Sequence, residues 1–175
     1  MRNIELKARV GGFDRAVQVC RALGAVFQSD IRQVDTYFVV ASGRLKLREN
    51  DPGKCELIHY HRVDEAESKA SDYKIVQGSP ELREMLAAAL GVRCAVRKLR
   101  GLWLWENVRI HLDTVEGLGT FIEFEAVLGE RFDDADGYLK LAKLREAFGI
   151  GDGDLIEGSY VDLMAGDGVA RRWTD

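Results

Sequence analysis

Asn3-Ile4-Glu5-Leu6-Lys7-Ala8-Arg9 alternates polar or charged residues with apolar ones at every step. The same period of two recurs in Arg44-Leu45-Lys46-Leu47-Arg48, in Val108-Arg109-Ile110-His111-Leu112-Asp113 and in Glu123-Phe124-Glu125. Successive side chains of a strand point to opposite faces, so the pattern predicts strands with one apolar and one charged face each. The kind of charge is informative. A wet sheet face mixes polar residues, whereas here cationic and carboxylate strands are segregated and would neutralise one another across a closed barrel. The charged face therefore reads as an interior.

Working outward, the first strand covers about residues 2–10 and stops at Gly11-Gly12. Helical spacing of Ala16, Val17, Val19, Cys20 and Leu23 predicts a helix over 14–23, with Gly24 past its end. Further strands are predicted over 34–40, 44–49, 55–63 and 72–77, separated by Ala41-Ser42-Gly43, Asp51-Pro52-Gly53 and an acidic loop over 64–70. Ser79-Pro80-Glu81 opens a helix that Gly91 closes. Strands follow over 93–100, 103–113 and 120–128, the first two split by a turn at Gly101, then helices over 135–148, capped by Asp133 or Asp134, and 154–164. The expected class is α+β, an eight-stranded antiparallel β-barrel or tunnel with a charged lumen and flanking helices. Residues 1–165 form one domain and 166–175 a flexible tail.

The chain of 175 residues carries a net charge of −4, with 46% hydrophobic and 31% charged residues. That composition is ordinary for a folded domain and excludes a generally basic nucleic-acid surface. No apolar run reaches about 18 residues and no secretory leader is evident, so neither a membrane partner nor export is expected and the cytoplasm is the default. Cys20, Cys55 and Cys94 are an odd, widely spaced set and read as reduced thiols.

Barrel parity gathers Asn3, Glu5, Lys7, Arg9, Lys46, Arg48, Arg62, Lys98, Arg100, Arg109, His111, Asp113, Glu123 and Glu125 on one interior. Burying so many charges without partners costs several kcal/mol each, so the lumen is wet, internally paired or occupied by ligand and metal. Glu5, Asp113, Glu123 and Glu125 are hard oxygen ligands suited to Mg²⁺ or Mn²⁺, and the Lys and Arg set is suited to phosphate oxygens. Together they are equipment for phosphoryl transfer, where catalysis is mostly positioning and charge neutralisation.

The segments 3–9, Asp35-Thr36-Tyr37-Phe38, 43–49, Ser71-Asp72-Tyr73, 109–113 and 117–125 together resemble the CYTH superfamily, the triphosphate tunnel metalloenzymes, and most of all its class IV adenylyl cyclase branch. The resemblance implies an eight-stranded tunnel that binds triphosphate compounds with Mg²⁺ or Mn²⁺. It implies metal ligation by Glu5, Asp113, Glu123 and Glu125. Phosphate contacts would come from Lys7, Arg9, Lys46, Arg48, Arg62, Lys74, Lys98, Arg100 and Arg109, with Glu5, Lys7 and Arg109 as catalytic groups. Lys74 reads equally as a surface lysine. Asn3 departs from the family's glutamate at that place and weakens the case for a second metal.

His59 and His61 fall on the parity opposite Tyr60 and read as exterior, and His111 reads as orienting a carboxylate or phosphate. Trp103 and Trp105 receive no role. The implied substrates are ATP, inorganic triphosphate or thiamine triphosphate, cleaved either to cyclic AMP and pyrophosphate or by hydrolysis. The alternative is a non-catalytic nucleotide or polyphosphate sensor. An open strand edge would make a homodimer possible.

Overall fold

The computed structural model describes residues 2–51, 53–61, 69–156 and 158–166, with side chains for all of these except 69–72, 165 and 166. Arg62 and the tail beyond residue 166 lie outside the described residues. The chain runs β1 (Arg2–Val10), α1 (Asp14–Ala22), β2 (Val26–Phe38), β3 (Arg44–Asp51), β4 (Lys54–His61), β5 (Lys69–Gln77), α2 (Leu82–Leu90), β6 (Val92–Trp105), β7 (Val108–Val115), β8 (Gly119–Val127) and α3 (Asp134–Phe148). A 3-10 turn (Asp152–Asp154) and α4 (Tyr160–Gly166) complete it.

The strands close in the order β1-β5-β4-β3-β2-β6-β7-β8, every neighbouring pair antiparallel. Two meanders, β2 to β5 and β6 to β8, are joined along β2 and β6, and β1 seals the ring between β5 and β8. Closure removes sheet edges, so the open edge on which a homodimer was expected is absent among the described strands.

Period-two alternation decides which residues see helix and which see lumen. Ile4, Leu6 and Ala8 of β1 point outward with Ile110, Leu112, Ile122 and Phe124, and pack under α1 and α3 through Ala16, Cys20, Leu141, Leu144 and Phe148. Burial of that apolar face drives the helices onto the barrel. Gly137 permits the closest approach, because a Cβ there would sit 2.9 Å from Ile4 Cδ1. Smaller clusters place α2 over Phe38, Leu47 and Cys55, and α4 over Val96, Val115 and Phe121. The cores under α1, α3 and α2 thus lie outside the barrel wall, the cluster under α4 fills one end of its interior, and the charged rows face inward. No described helix is long and apolar enough to cross a membrane.

Four boundaries differ from the sequence reading, one being β5, which starts at Lys69 inside the expected loop because residues 69–72 pair with β1. β2 starts at Val26 rather than near residue 34, because its polar first half is paired along β6 through Arg32↔Leu99 and Asp30↔Gly101. Strand propensity yields here to cross-strand pairing. Gly101 is not a turn: β6 runs through it to Trp105, and the reversal falls at Glu106-Asn107, where Glu106 takes φ 51. The helix expected over 154–164 is split into the 3-10 turn and α4.

Candidate functional site

The barrel encloses a cavity of about 480 Å³. Lys7, Lys46, Arg48, Lys54, Lys98, Arg100 and Arg109 line it together with Glu5, Asp35, Glu56, Glu123 and Glu125. Among the described lining residues seven cations exceed five carboxylates, and counting Asp113 behind Arg100 still leaves one cation more than acids, a surplus that favours an anionic ligand. Arg109, 45% exposed, marks the open mouth. The opposite end is closed by Tyr160, whose ring meets Phe121 at 5.0 Å and lies under Lys7 Nζ, 4.3 Å away.

Two buried acids organise the cations. Arg48 donates Nε–H to Asp35 Oδ1 at 2.8 Å and Nη2–H to Oδ2 at 2.9 Å, while Lys46 Nζ approaches Oδ2 at 3.0 Å and Lys98 Nζ at 3.9 Å. Burial pushes the Asp35 carboxyl up, but Arg48 and Lys46 outweigh it and hold the group well below the usual carboxylate range. The lysines fare worse, since one carboxylate cannot serve three cations. Burial, then repulsion from Arg100, lowers Lys98 to about 7 against the attraction of Asp113. Burial, then Arg48, lowers Lys46 to about 8.

The second acid is Asp113. Arg100 grips it through Nε at 2.7 Å and Nη2 at 2.6 Å, and the Tyr160 hydroxyl donates to Oδ2 at 2.8 Å. Its carboxylate is fully buried and both oxygens accept from Arg100, so Asp113, expected as a metal ligand, aims Arg100 in this structure. Arg100 Nη2 also donates to Glu123 Oε2 at 2.6 Å, and Lys7 Nζ pairs with Glu123 Oε1 at 2.9 Å.

Glu5 and Glu125 are direct cross-strand partners on β1 and β8. Asn3 Nδ2 donates to Glu125 Oε1 at 2.5 Å, and Arg109 Nη1 reaches Oε2 at 3.3 Å. Asn3 Oδ1 is buried and accepts no hydrogen bond. Two carboxylates beside an orphaned amide oxygen fit a hard cation that keeps waters and takes its remaining ligands from substrate phosphates. No preformed group of three or more His, Cys, Asp or Glu able to hold a metal exists among the described residues. His111 Nδ1 stands 3.5 Å from Glu123 Oε2, too far for a strong hydrogen bond, and has no other partner. Burial, then Arg100, holds its pKa below the ordinary value against the attraction of Glu123 and Glu125.

Lys7, Lys46, Arg48, Lys98, Arg100 and Arg109 thus come together with Glu5, Glu123 and Glu125. Two expected phosphate ligands do not join them. Lys74 is exposed and points outward, because it pairs with exterior His59 while its neighbours Tyr73 and Ile75 take the inward parity. Arg9 has the right parity but lies beyond the closed end. Its Nη1 donates to the Leu118 carbonyl at 2.6 Å and its guanidinium sits over Phe121.

Asp35, Tyr37, Gln33, Asn50, Lys54 and Tyr160 also line the cavity without having been singled out as site residues. The inward set Ile31, Gln33, Asp35, Tyr37 keeps period two, a signal obscured by starting β2 too late. Tyr160 leaves no such signal, since it comes from a helix that plugs the barrel. Trp103 and Trp105 face the helices, Trp103 meeting Phe27 edge-on at 5.2 Å.

The CYTH domain model matches residues 1–160. A protein of Methanocaldococcus jannaschii named "Putative adenylate cyclase" is 23% identical over 173 residues, covering 93% of this chain and 98% of that one. A solved structure of a Pyrococcus horikoshii protein superposes with TM-score 0.78 at 24% identity, covering 92% of this chain and 98% of that chain. A Hippeastrum protein presented under an adenylyl cyclase name, and described as having a dominant triphosphatase activity, superposes with TM-score 0.67 at 16% identity, covering 95% of each chain. At these identities the solved structures establish the fold.

Proposed function

The chain belongs to the CYTH family, and we propose that it is a divalent-metal-dependent enzyme that binds and cleaves a triphosphate compound inside its tunnel. The observation that carries this reading is the convergence of Lys7, Lys46, Arg48, Lys98, Arg100 and Arg109 on one enclosed cavity whose acids are fewer than its cations. Arg48 and Arg100 are held flat by bidentate carboxylates, which leaves their remaining N–H groups to meet phosphate oxygens. Lys98 and Lys46, lowered by burial, regain protons when a polyanion arrives. Glu5, Glu125 and the Asn3 amide oxygen would hold Mg²⁺ or Mn²⁺, with Glu123 beside them. The ion supplies neutralisation of the phosphate charge that develops during cleavage. Lys7 and Arg109, on either side of these acids, orient the reacting phosphoryl group.

Two reactions use this geometry: water attack on the terminal phosphorus, or attack of a ribose 3′-hydroxyl on the α-phosphorus with loss of pyrophosphate. The names carried by the relatives include both activities. Free Cys20, Cys55 and Cys94 are consistent with work in a reducing cytoplasm. The deciding experiment incubates the protein with ATP, inorganic triphosphate or thiamine triphosphate and Mg²⁺ or Mn²⁺, and identifies products. Orthophosphate marks a triphosphatase; cyclic AMP with pyrophosphate marks a cyclase. Tight binding without any product would refute the enzyme and identify a sensor.

A further inference from the structure

The tunnel wall is uncharged in two places: Ile58 and Ile75 lie among tyrosines on β4 and β5, and Ile31 and Leu102 lie across from them beside the phosphate-facing cations. Ile31 and Leu102 are half-buried, face the cavity from β2 and β6, and are diagonal neighbours through the pairs Ile31↔Arg100 and Ser29↔Leu102. Beside Ile31, Gln33 is 4% exposed and lies directly across from Lys98 on β6 and Asn50 on β3. Gln33 Nε2 donates to Asn50 Oδ1 at 2.7 Å, while Gln33 Oε1 is buried and has no hydrogen-bond partner. None of these four side chains serves an ion. An apolar ledge inside an ionic lumen is useless to an inorganic polyphosphate, and an unpaired amide oxygen at its rim is costly unless a ligand donates to it.

The geometry points to a ring-binding subsite. Ile31 and Leu102 form the floor for a flat heteroaromatic group, and Gln33, braced by Asn50, accepts a hydrogen bond from an N–H on the ring edge. This deepens the proposed function and rests on it: the triphosphate taken by the tunnel is an organic ester rather than a bare polyphosphate. The register supports continuity, because Gln33 and Ile31 sit opposite Lys98 and Arg100, two of the cations assigned to the phosphates. The volume of about 480 Å³ is that of a small-molecule site.

The test compares ATP, purine riboside triphosphate, which lacks both the amino group and any ring-edge N–H, and inorganic triphosphate. Affinities are read from ligand-induced thermal stabilisation in Mg²⁺. ATP is expected to bind about tenfold tighter than purine riboside triphosphate, the value of one hydrogen bond to a prepared acceptor. Gln33→Leu is expected to bring the two nucleotides within about twofold of each other and leave inorganic triphosphate unchanged. Equal affinities in the unmodified protein overturn the subsite without using any variant. A Gln33→Leu loss shared by inorganic triphosphate also overturns it, since the residue would then serve the phosphate site. A protein that binds none of the three overturns the tunnel reading itself.

Discussion

Replacing Asp35 with Asn removes the one carboxylate shared by Lys46, Arg48 and Lys98 while keeping its shape. Asp35 is 2% exposed, so water cannot take its place. Breaking a buried pair from one side costs about 3–5 kcal/mol, and the bidentate Arg48 contact places this site at the upper part of that range. For a chain of this size a loss of about 4–5 kcal/mol corresponds to a fall in Tm of roughly 8–20 °C. The pH dependence follows from the direction of each shift. Asp35 titrates below its unfolded value, so its contribution is present above about pH 4 and is lost as pH falls through the folded pKa, where variant and parent converge. Raising pH from 6 to 9 also narrows the gap, because Lys98 and then Lys46 shed the protons that Asp35 was neutralising. Inorganic triphosphate should restore more stability to Asp35→Asn than to the parent, since it meets the same freed cations and stabilises by mass action. Circular-dichroism melting with and without 1 mM inorganic triphosphate, at pH 6 and 9, measures all of this. A Tm loss under about 2 °C, or a smaller ligand gain in the variant, would refute the view that Asp35 is the counter-charge organising Lys46, Arg48 and Lys98.

Glu125→Ala should lower turnover about 100-fold or more at saturating Mn²⁺, the scale of removing one preorganised electrostatic group, with an unchanged far-UV spectrum; unchanged turnover would remove Glu125 from the metal assignment. Affinity for inorganic triphosphate should fall as pH rises from 6.5 to 8.5, since Lys98 at about 7 and Lys46 at about 8 must be protonated to bind it. Calorimetry in buffers of different ionisation enthalpy should register proton uptake, and Lys98→Met should diminish it. Asn3→Glu places a further buried acid beside Glu5 and Glu125, so the metal-free variant should lose about 1–3 kcal/mol and recover it with Mg²⁺. A melting curve insensitive to Mg²⁺ in that variant would argue against a cation site on β1 and β8.

The alternation in residues 3–9, 44–48, 108–113 and 123–125 was sufficient to establish strands, their inward faces and the gathering of Lys and Arg with Glu into one space, because side-chain parity is a local property of extended backbone. That reasoning also predicted exterior positions for His59 and His61, which the structure bears out: their rings meet edge-on outside the barrel. It left Lys74 open between surface and lumen, which register with β4 decides in favour of the surface, and it missed the first half of β2, where pairing with β6 overrides a weak local preference.

Tertiary structure alone decided how the charges are shared. Glu123 and Asp113 lie on neighbouring strands with the same parity and read alike in sequence. In the folded chain Asp113 is enclosed by Arg100 and Tyr160 and orients a cation, whereas Glu123 faces the cavity. Likewise no local pattern announces that Tyr160 closes one end of the tunnel, or that Gln33 keeps an unpaired oxygen beside an apolar ledge. Which face a residue takes is set by neighbours one or two positions away. Which partner it meets there is set by barrel closure, which brings together groups more than a hundred residues apart.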